Sequence, residues 1–292
     1  MKLGVFRDTR LVDQVWLDDR QNLVFQYDKA YIDSEYAHPL SLRLPLREAP
    51  YENDEARPFF SNLLPEGDIR ELIAKVVHVS KNNDFALLRE IGGECAGAVS
   101  ILPEGRTPLD SGGYQEISWD DLEDLLEGRA KKPLLASRKD LRLSLAGVQD
   151  KLPIYLSAGK LHLPTENAPS SHILKPQIRG FYDTVHNEAF CMMLAKRIFT
   201  PSSRIPEVSI LHGKRKSAND ALIIERYDRS TLDNGAIRRI HQEDFCQALG
   251  YLANRKYENE GGPGLKECFA LLSRFSTQPL VDRLHLLKWV VY

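Results

Sequence analysis

The sequence predicts an α+β fold. Three observations carry this. Short apolar segments separated by polar turns fill the first thirty residues, and a second group of short segments between 152 and 227 encloses one long helical stretch. After Gln242 the pattern is mostly helical. Strands grouped apart from helices describe an α+β protein rather than an alternating parallel one.

Lys2–Phe6, Leu11–Leu17 and Leu23–Tyr27 read as a meander of three strands, broken by turns such as Asp18-Asp19-Arg20-Gln21. The aromatics and leucines of Arg57–Gly67 are placed to dock on that sheet. Asp68–Val77 carries Ile69, Leu72, Ile73 and Val76 at helical spacing. Asn83–Ile91 reads as a second short helix, closed by Gly92-Gly93. Cys95–Leu102 is small and apolar, which suits a tightly packed strand. Pro103–Gly113 reads as a linker, and Ser118-Trp119-Asp120-Asp121 as a capping box opening a helix that ends at Gly128. Arg129–Asp140, basic and Pro-containing, marks a boundary.

Beyond it, Leu141–Leu145 reads as a strand and Ala146–Lys151 as a tight loop. Leu152–Leu156 and Lys160–Leu163 form a hairpin, and His172–Lys175 a further strand. Val185–Phe199 is a helix whose apolar side is supplied by Ala189, Met192, Met193 and Ala195. Glu207–His212 and Ala221–Tyr227 follow as strands, and Leu265–Phe275 as a helix.

Composition excludes several classes. With 39 Lys+Arg against 41 Asp+Glu, the net charge of −2 gives no basic excess to hold nucleic acid or an anionic membrane. No apolar run reaches the ~20 residues of a membrane span, and MKLGVFRDTR lacks a signal-peptide core. A cytoplasmic protein is expected. The 4 cysteines are far apart, which argues against a zinc site or disulfide framework and for buried thiols. The 8 histidines are scattered and lack H-E-x-x-H spacing, so they read as structural.

Four stretches hold residues suited to chemistry. In Ser144–Lys151, the small pair Ala146-Gly147 lets backbone N–H groups approach a phosphate and Lys151 adds charge. It is neither a Walker loop nor a G-x-G-x-x-G loop, and a hairpin turn with a solvated lysine is the plainer reading. Lys175 ends an apolar strand, where an amine meets nucleotide phosphates in kinases, and Glu188 follows on the next helix. A solvated lysine and a first-turn carboxylate favoured by the helix dipole explain the same residues. Glu225, Arg226 and Tyr227 end an apolar strand, where a two-lobed site would offer backbone groups to adenine; a salt-bridged edge strand is the alternative. Gly261-Gly262-Pro263-Gly264 is either a ligand approach or a loop before a helix.

Each piece is weak alone, but their order is that of a kinase small lobe. The chain resembles the HipA family, the serine/threonine kinase toxins of bacterial type II toxin–antitoxin modules. The resemblance spans nearly the whole chain. It rests on PFFSNLLPEG (58–67), IGGECAGAV (91–99), SLAGVQDK (144–151) and HILK (172–175). ERYDR (225–229), QEDFCQALG (242–250) and KYENEGGPG (256–264) complete it. It implies an N-terminal region over 1–110, a linker and helix over 111–140, a kinase-like ATP-binding lobe over 141–230 and the start of a helical lobe over 231–292.

The resemblance further implies that ATP is held by Ala146, Gly147, Val148, Gln149, Asp150, Lys151, Lys175 and the hinge Glu225, Arg226 and Tyr227, with Glu188 as ion-pair partner. It implies that Ser144 is autophosphorylated, and phosphoserine there would drive the loop from the nucleotide site by adding about −1.5 to −2 charge. Its implied partners are a protein substrate, glutamyl-tRNA synthetase by family precedent, and a HipB-like helix-turn-helix antitoxin that reaches DNA on the toxin's behalf. Mg²⁺ is the implied second cofactor. In the family, the catalytic Asp and the metal-binding Asn and Asp follow the helix that here carries Leu284–Tyr292. None lies within this chain, so it is expected to be inactive alone. A non-catalytic antitoxin-binding scaffold is the alternative, and a small-molecule kinase a more distant one.

Overall fold

The computed structural model describes residues 1–108, 112–128, 134, 149–178, 180–199, 204–215, 219–233 and 235–292. The expected strand Leu141–Leu145 and the loop residues Ser144, Ala146, Gly147 and Val148 lie outside them.

β1 (Lys2–Arg7), β2 (Arg10–Leu17) and β3 (Leu23–Tyr27) form the antiparallel meander and bury Leu3, Val5, Val12, Val15, Leu23 and Phe25 in the main core, a register shift at Val5/Phe6 interrupting the alternation. A short helix, α1 (Lys29–Ile32), follows, N-capped by Asp28. α2 (Asn53–Ser61), α3 (Gly67–Val76) and α4 (Asp84–Ile91) then cover the sheet. Phe59, Phe60, Leu63 and Leu64 dock there as expected, with the Phe60 ring 5.4 Å from Phe25. The helical state of Asn53–Ser61 was not legible, because Pro58 sits inside it without an N–H to give. Burial of the flanking aromatics outweighs that loss.

β4 (Val99–Pro103) pairs antiparallel with β1 and completes the order β3-β2-β1-β4. The strand is shorter than the expected Cys95–Leu102, because residues 94–98 turn away to meet the second half of the chain. Gly92 ends α4 with φ −74°, so its role is space rather than left-handed backbone. A Cβ there would stand 2.5 Å from the Leu88 carbonyl and 2.8 Å from the Ile101 side chain.

The second sheet begins within the expected linker region. β5 (Tyr114–Glu116) leads to α5 (Trp119–Gly128), where the Ser118 hydroxyl accepts the Asp121 N–H at 3.1 Å. β6 (Leu152–Ser157), β7 (Lys160–Pro164) and β8 (His172–Pro176) precede α6 (Thr184–Phe199). β9 (Val208–Leu211) and β10 (Ala221–Glu225) finish the sheet, in the order β5-β7-β6-β8-β10-β9. β10 is therefore an interior strand, not an edge.

One face of this sheet, with Leu152, Leu174 and Ile223, packs with Leu122 and Leu126 of α5 into the main core. The other face packs Leu222 against Val185 and Ala189 of α6. The expected apolar side of α6 is corrected in part: Ala189 and Ala195 are buried as expected, Met193 is exposed, and Val185 and Phe199 join the buried set. Cys191, expected buried, is exposed as well.

A two-stranded ribbon of β11 (Arg229–Thr231) and β12 (Ile237–Arg239) comes next, unforeseen because both strands are three residues long and highly polar. The helices α7 (Phe245–Leu249), α8 (Leu265–Phe275) and α9 (Pro279–Val291) end the chain. Glu267 accepts the Gly264 N–H at 3.1 Å, so that glycine is the N-cap of α8. Trp289 on α9 stacks 4.5 Å from Phe199, covering part of the apolar stretch Leu280–Tyr292. Among the described residues no helix is long and apolar enough to cross a membrane.

Candidate functional site

The α6 face of the second sheet gathers the basic groups. In the β8–β10 register Lys175 lies beside Leu222, so its side chain shares the face on which α6 packs. Val185 and Ala189 form the helix stripe that meets Leu222. At 3.6 residues per turn, Glu188 flanks that stripe on one side and His186 on the other, each roughly 80° from its centre. The placement brings Glu188 Oε1 to 2.5 Å from Lys175 Nζ, both side chains being partly shielded. The expected strand-lysine to helix-glutamate pair is thus formed.

The loop end of β6 converges on the same place. β6 pairs with β8 through Leu152 and Leu174, and continuing that register sets Lys151 beside Lys175. Gln149 Nε2 donates to the Pro176 carbonyl at 3.3 Å, and the Asp150 carboxylate accepts the Leu134 N–H. Lys151 is buried, and burial together with the Lys175 ammonium pushes its pKa down to about 8. Two ammonium groups crowded at one sheet end, one of them buried, are suited to an anion.

The hinge stretch is more constrained than the sequence indicates. The N–H groups of Glu225 and Arg226 already donate to the carbonyls of Glu207 and Ser171. Two of the three backbone donors are therefore used within the protein. The Glu225 side chain meets Arg204 at 3.1 Å, and Tyr227 is exposed.

Arg226 turns inward instead. It joins Arg229 and Arg239 around Glu94, which is fully buried. Glu94 Oε1 accepts from Arg226 at 2.9 Å and Arg229 at 2.8 Å, and Oε2 from Arg239 at 2.9 Å. Asp228 bridges Arg226 at 2.7 Å and accepts the Gly97 N–H at 2.7 Å. Gly97 holds φ +71°, and a Cβ there would lie 2.9 Å from the Gln242 backbone nitrogen. Burial alone would raise the Glu94 pKa, but Arg229, Arg239 and Arg226 outweigh it and hold the carboxyl below the usual range. This cluster clamps the loop after α4 onto the strand end that carries the hinge.

The clamp escaped sequence reasoning because its members lie in IGGECAGAV, ERYDR and the ribbon. The signal that was available is a glutamate in an otherwise small apolar motif. A second link joins the halves: Lys256 contacts Glu66 at 2.8 Å and Asp244 at 3.3 Å. Asn62 Nδ2 donates to the Tyr251 carbonyl at 2.8 Å and Gln247 Nε2 to that of Phe59 at 3.0 Å. A cavity of about 250 Å³ lined by Arg57, Glu66, Arg70, Asp84 and Asn254 lies in this junction, and its Glu66 and the nearby Lys256 also act on the charge of Lys151.

The histidines are not all isolated. His186, His212 and Asp220 come together at the β9–β10 end of the same sheet face, all donor atoms lying within 4.8 Å of one another.

The HipA N-terminal domain family matches residues 3–102, and the HipA-like C-terminal domain family matches residues 143–292. The chain belongs to the HipA family. It is 42% identical to a putative kinase, Y4mE, of Sinorhizobium fredii over 99% of this chain and 69% of that protein. It is 30% identical to the serine/threonine-protein kinase toxin HipA of Shewanella oneidensis, over 87% of this chain and 59% of that protein. The solved complex of Shewanella oneidensis MR-1 HipA with HipB and operator DNA superposes with a TM-score of 0.76 at 26% identity. That match covers 99% of this chain and 68% of the solved one. The chain thus spans from just under three fifths to just over two thirds of these HipA relatives' lengths, and the mixed α/β architecture is theirs.

Proposed function

We propose that this protein is a HipA-type serine/threonine kinase toxin, and that ATP is held on the α6 face of the second sheet. The observation that carries the reading is the Lys175–Glu188 pair at 2.5 Å with Lys151 buried beside it. The residues fit the group: ATP supplies the phosphoryl donor and about four negative charges, and the two lysines stand where an anion relieves their mutual repulsion. Glu188 orients Lys175, and Lys151 with the backbone of 146–151 receives the phosphates. Tyr227 and the carbonyls at 225–227 face the base. Mg²⁺ ligands and the catalytic base are assigned to no residue of 1–292.

By extension from the family, the substrate is a protein hydroxyl, in the class of aminoacyl-tRNA synthetases, with Ser144 the site of autophosphorylation. A HipB-like antitoxin is the proposed partner, and DNA is reached only through it. Calorimetric titration with ATP and Mg²⁺ tests the reading. Saturable binding is expected, weakened about 10- to 100-fold in K175A, the equivalent of losing one charge-assisted contact of about 1.5–3 kcal/mol. Equal affinity in K175A with an intact fold rejects the site.

A further inference from the structure

We propose that His186, His212 and Asp220 form a binding site for a divalent transition-metal ion of the zinc class, placed to pin the first turn of α6 to the β9–β10 end of the sheet. His212 and Asp220 are the next opposed pair beyond Leu211 and Ala221 in the antiparallel register, so their side chains share one face. It is the face of Leu222, on which α6 packs, and His186 reaches it from the helix flank opposite Glu188. The ligands thus come from three separate segments.

The carboxylate is oriented for this. The Gly213 N–H donates to Asp220 Oδ1 at 2.9 Å, which turns Oδ2 toward both imidazoles. Oδ2 lies 3.3 Å from His212 Nδ1 and 3.7 Å from His186 Nε2. Zinc bonds of about 2.0–2.1 Å in tetrahedral geometry set neighbouring ligand atoms roughly 3.4 Å apart; the ligand atoms here lie within 4.8 Å of one another, so the two exposed rings turn inward to close on an ion. Asp220 is buried, whereas both histidines are exposed, which leaves the fourth position open to water. Two imidazoles and one carboxylate suit zinc, copper or nickel and not magnesium or calcium. Asp183 lies 3.9 Å from the other ring nitrogen of His186, the side on which a second carboxylate commonly steadies a ligating imidazole. A bound ion fixes the helix turn that carries Glu188, and the site exists whether or not nucleotide binds.

The test is titration of the untagged protein with Co²⁺, read from its visible absorption, followed by competition with Zn²⁺. One Co²⁺ per chain, displaced by Zn²⁺, is expected. H186A and H212A should each weaken binding at least tenfold, and the double variant should abolish it. C191S, which removes the exposed thiol, should leave it unchanged. Both histidines are exposed, so matching melting curves in chelator will show that the variants fold. Stoichiometric binding retained in the double variant, or no saturable binding at all, overturns the site. Amide exchange across residues 184–189 should slow on Zn²⁺ addition; unchanged exchange with binding intact overturns the pinning.

Discussion

Replacing Glu94 by glutamine removes the one charge shared by three buried guanidinium groups. In the folded protein its two oxygens accept from Arg226, Arg229 and Arg239 at 2.8–3.0 Å, and from Ser170 Oγ at 2.9 Å. After E94Q Arg226 and Arg229 keep Asp228, Arg239 keeps only the Asn167 carbonyl, and the new amide N–H₂ points at cations. Breaking a single buried pair costs about 3–5 kcal/mol, because an uncompensated charge is left in the interior. Three partners share this carboxylate, so that range is the expectation for E94Q. At about 2–4 °C per kcal/mol for a protein of this size, the melting midpoint should fall by roughly 6–20 °C. The assay is urea and thermal unfolding of E94Q, R239M and the double variant. R239M removes one of the stranded cations, so the double variant should be less destabilised than the sum by about 1–3 kcal/mol. A loss below about 1 kcal/mol, or strict additivity, would refute the reasoning. Since the Glu94 pKa is held below the usual value, its contribution is complete above the ordinary glutamate range near 4.3 and is lost only as pH falls well beneath it.

Other outcomes follow from the same contacts. K256M removes the partner of Glu66 and Asp244 and should destabilise by about 1–2 kcal/mol in urea melts, with E66Q giving a non-additive double variant. Lys151 has a pKa near 8 without ligand, and a bound anion raises it. Nucleotide affinity should therefore be fullest below pH 8 and decline as pH rises through 8 toward the bound value; a flat titration between pH 7 and 9.5 removes Lys151 from the site. His241 is pushed down to about 4 by burial while donating to the Leu40 carbonyl at 2.8 Å. Its stabilisation is present above the ordinary value near 6.5 and is lost as pH falls toward 4, so wild-type stability should drop across that window and H241N should flatten the slope.

Much of the site was legible because it obeys local rules. Lys175 is the penultimate residue of a five-residue strand and Glu188 sits one position before a buried alanine on the next helix, so register and helical period alone bring them together. Lys151 was legible as a loop residue but not as a buried one, since its surroundings include Lys175, Glu66 and Lys256, which come from distant parts of the chain. Arg226 was read for its backbone at the hinge. Its side chain proved to be a structural group, because the carboxylate that captures it lies far upstream at Glu94. His186 and His212 meet Asp220 for the same reason, through a strand register and a helix flank that no local motif reports.

The sequence by itself determined the α+β class, the meander, the strand lysine with its helix glutamate, and membership in a family. Each depends on periodicity or on short motifs read in order. Only the tertiary structure decided which charges meet. Glu94 with its three arginines, Lys256 with Glu66, and His186 with His212 and Asp220 are joined by chain crossings between separate sheets, helices and loops. A charge has no period, so nothing in its local sequence reports which distant partner will neutralise it.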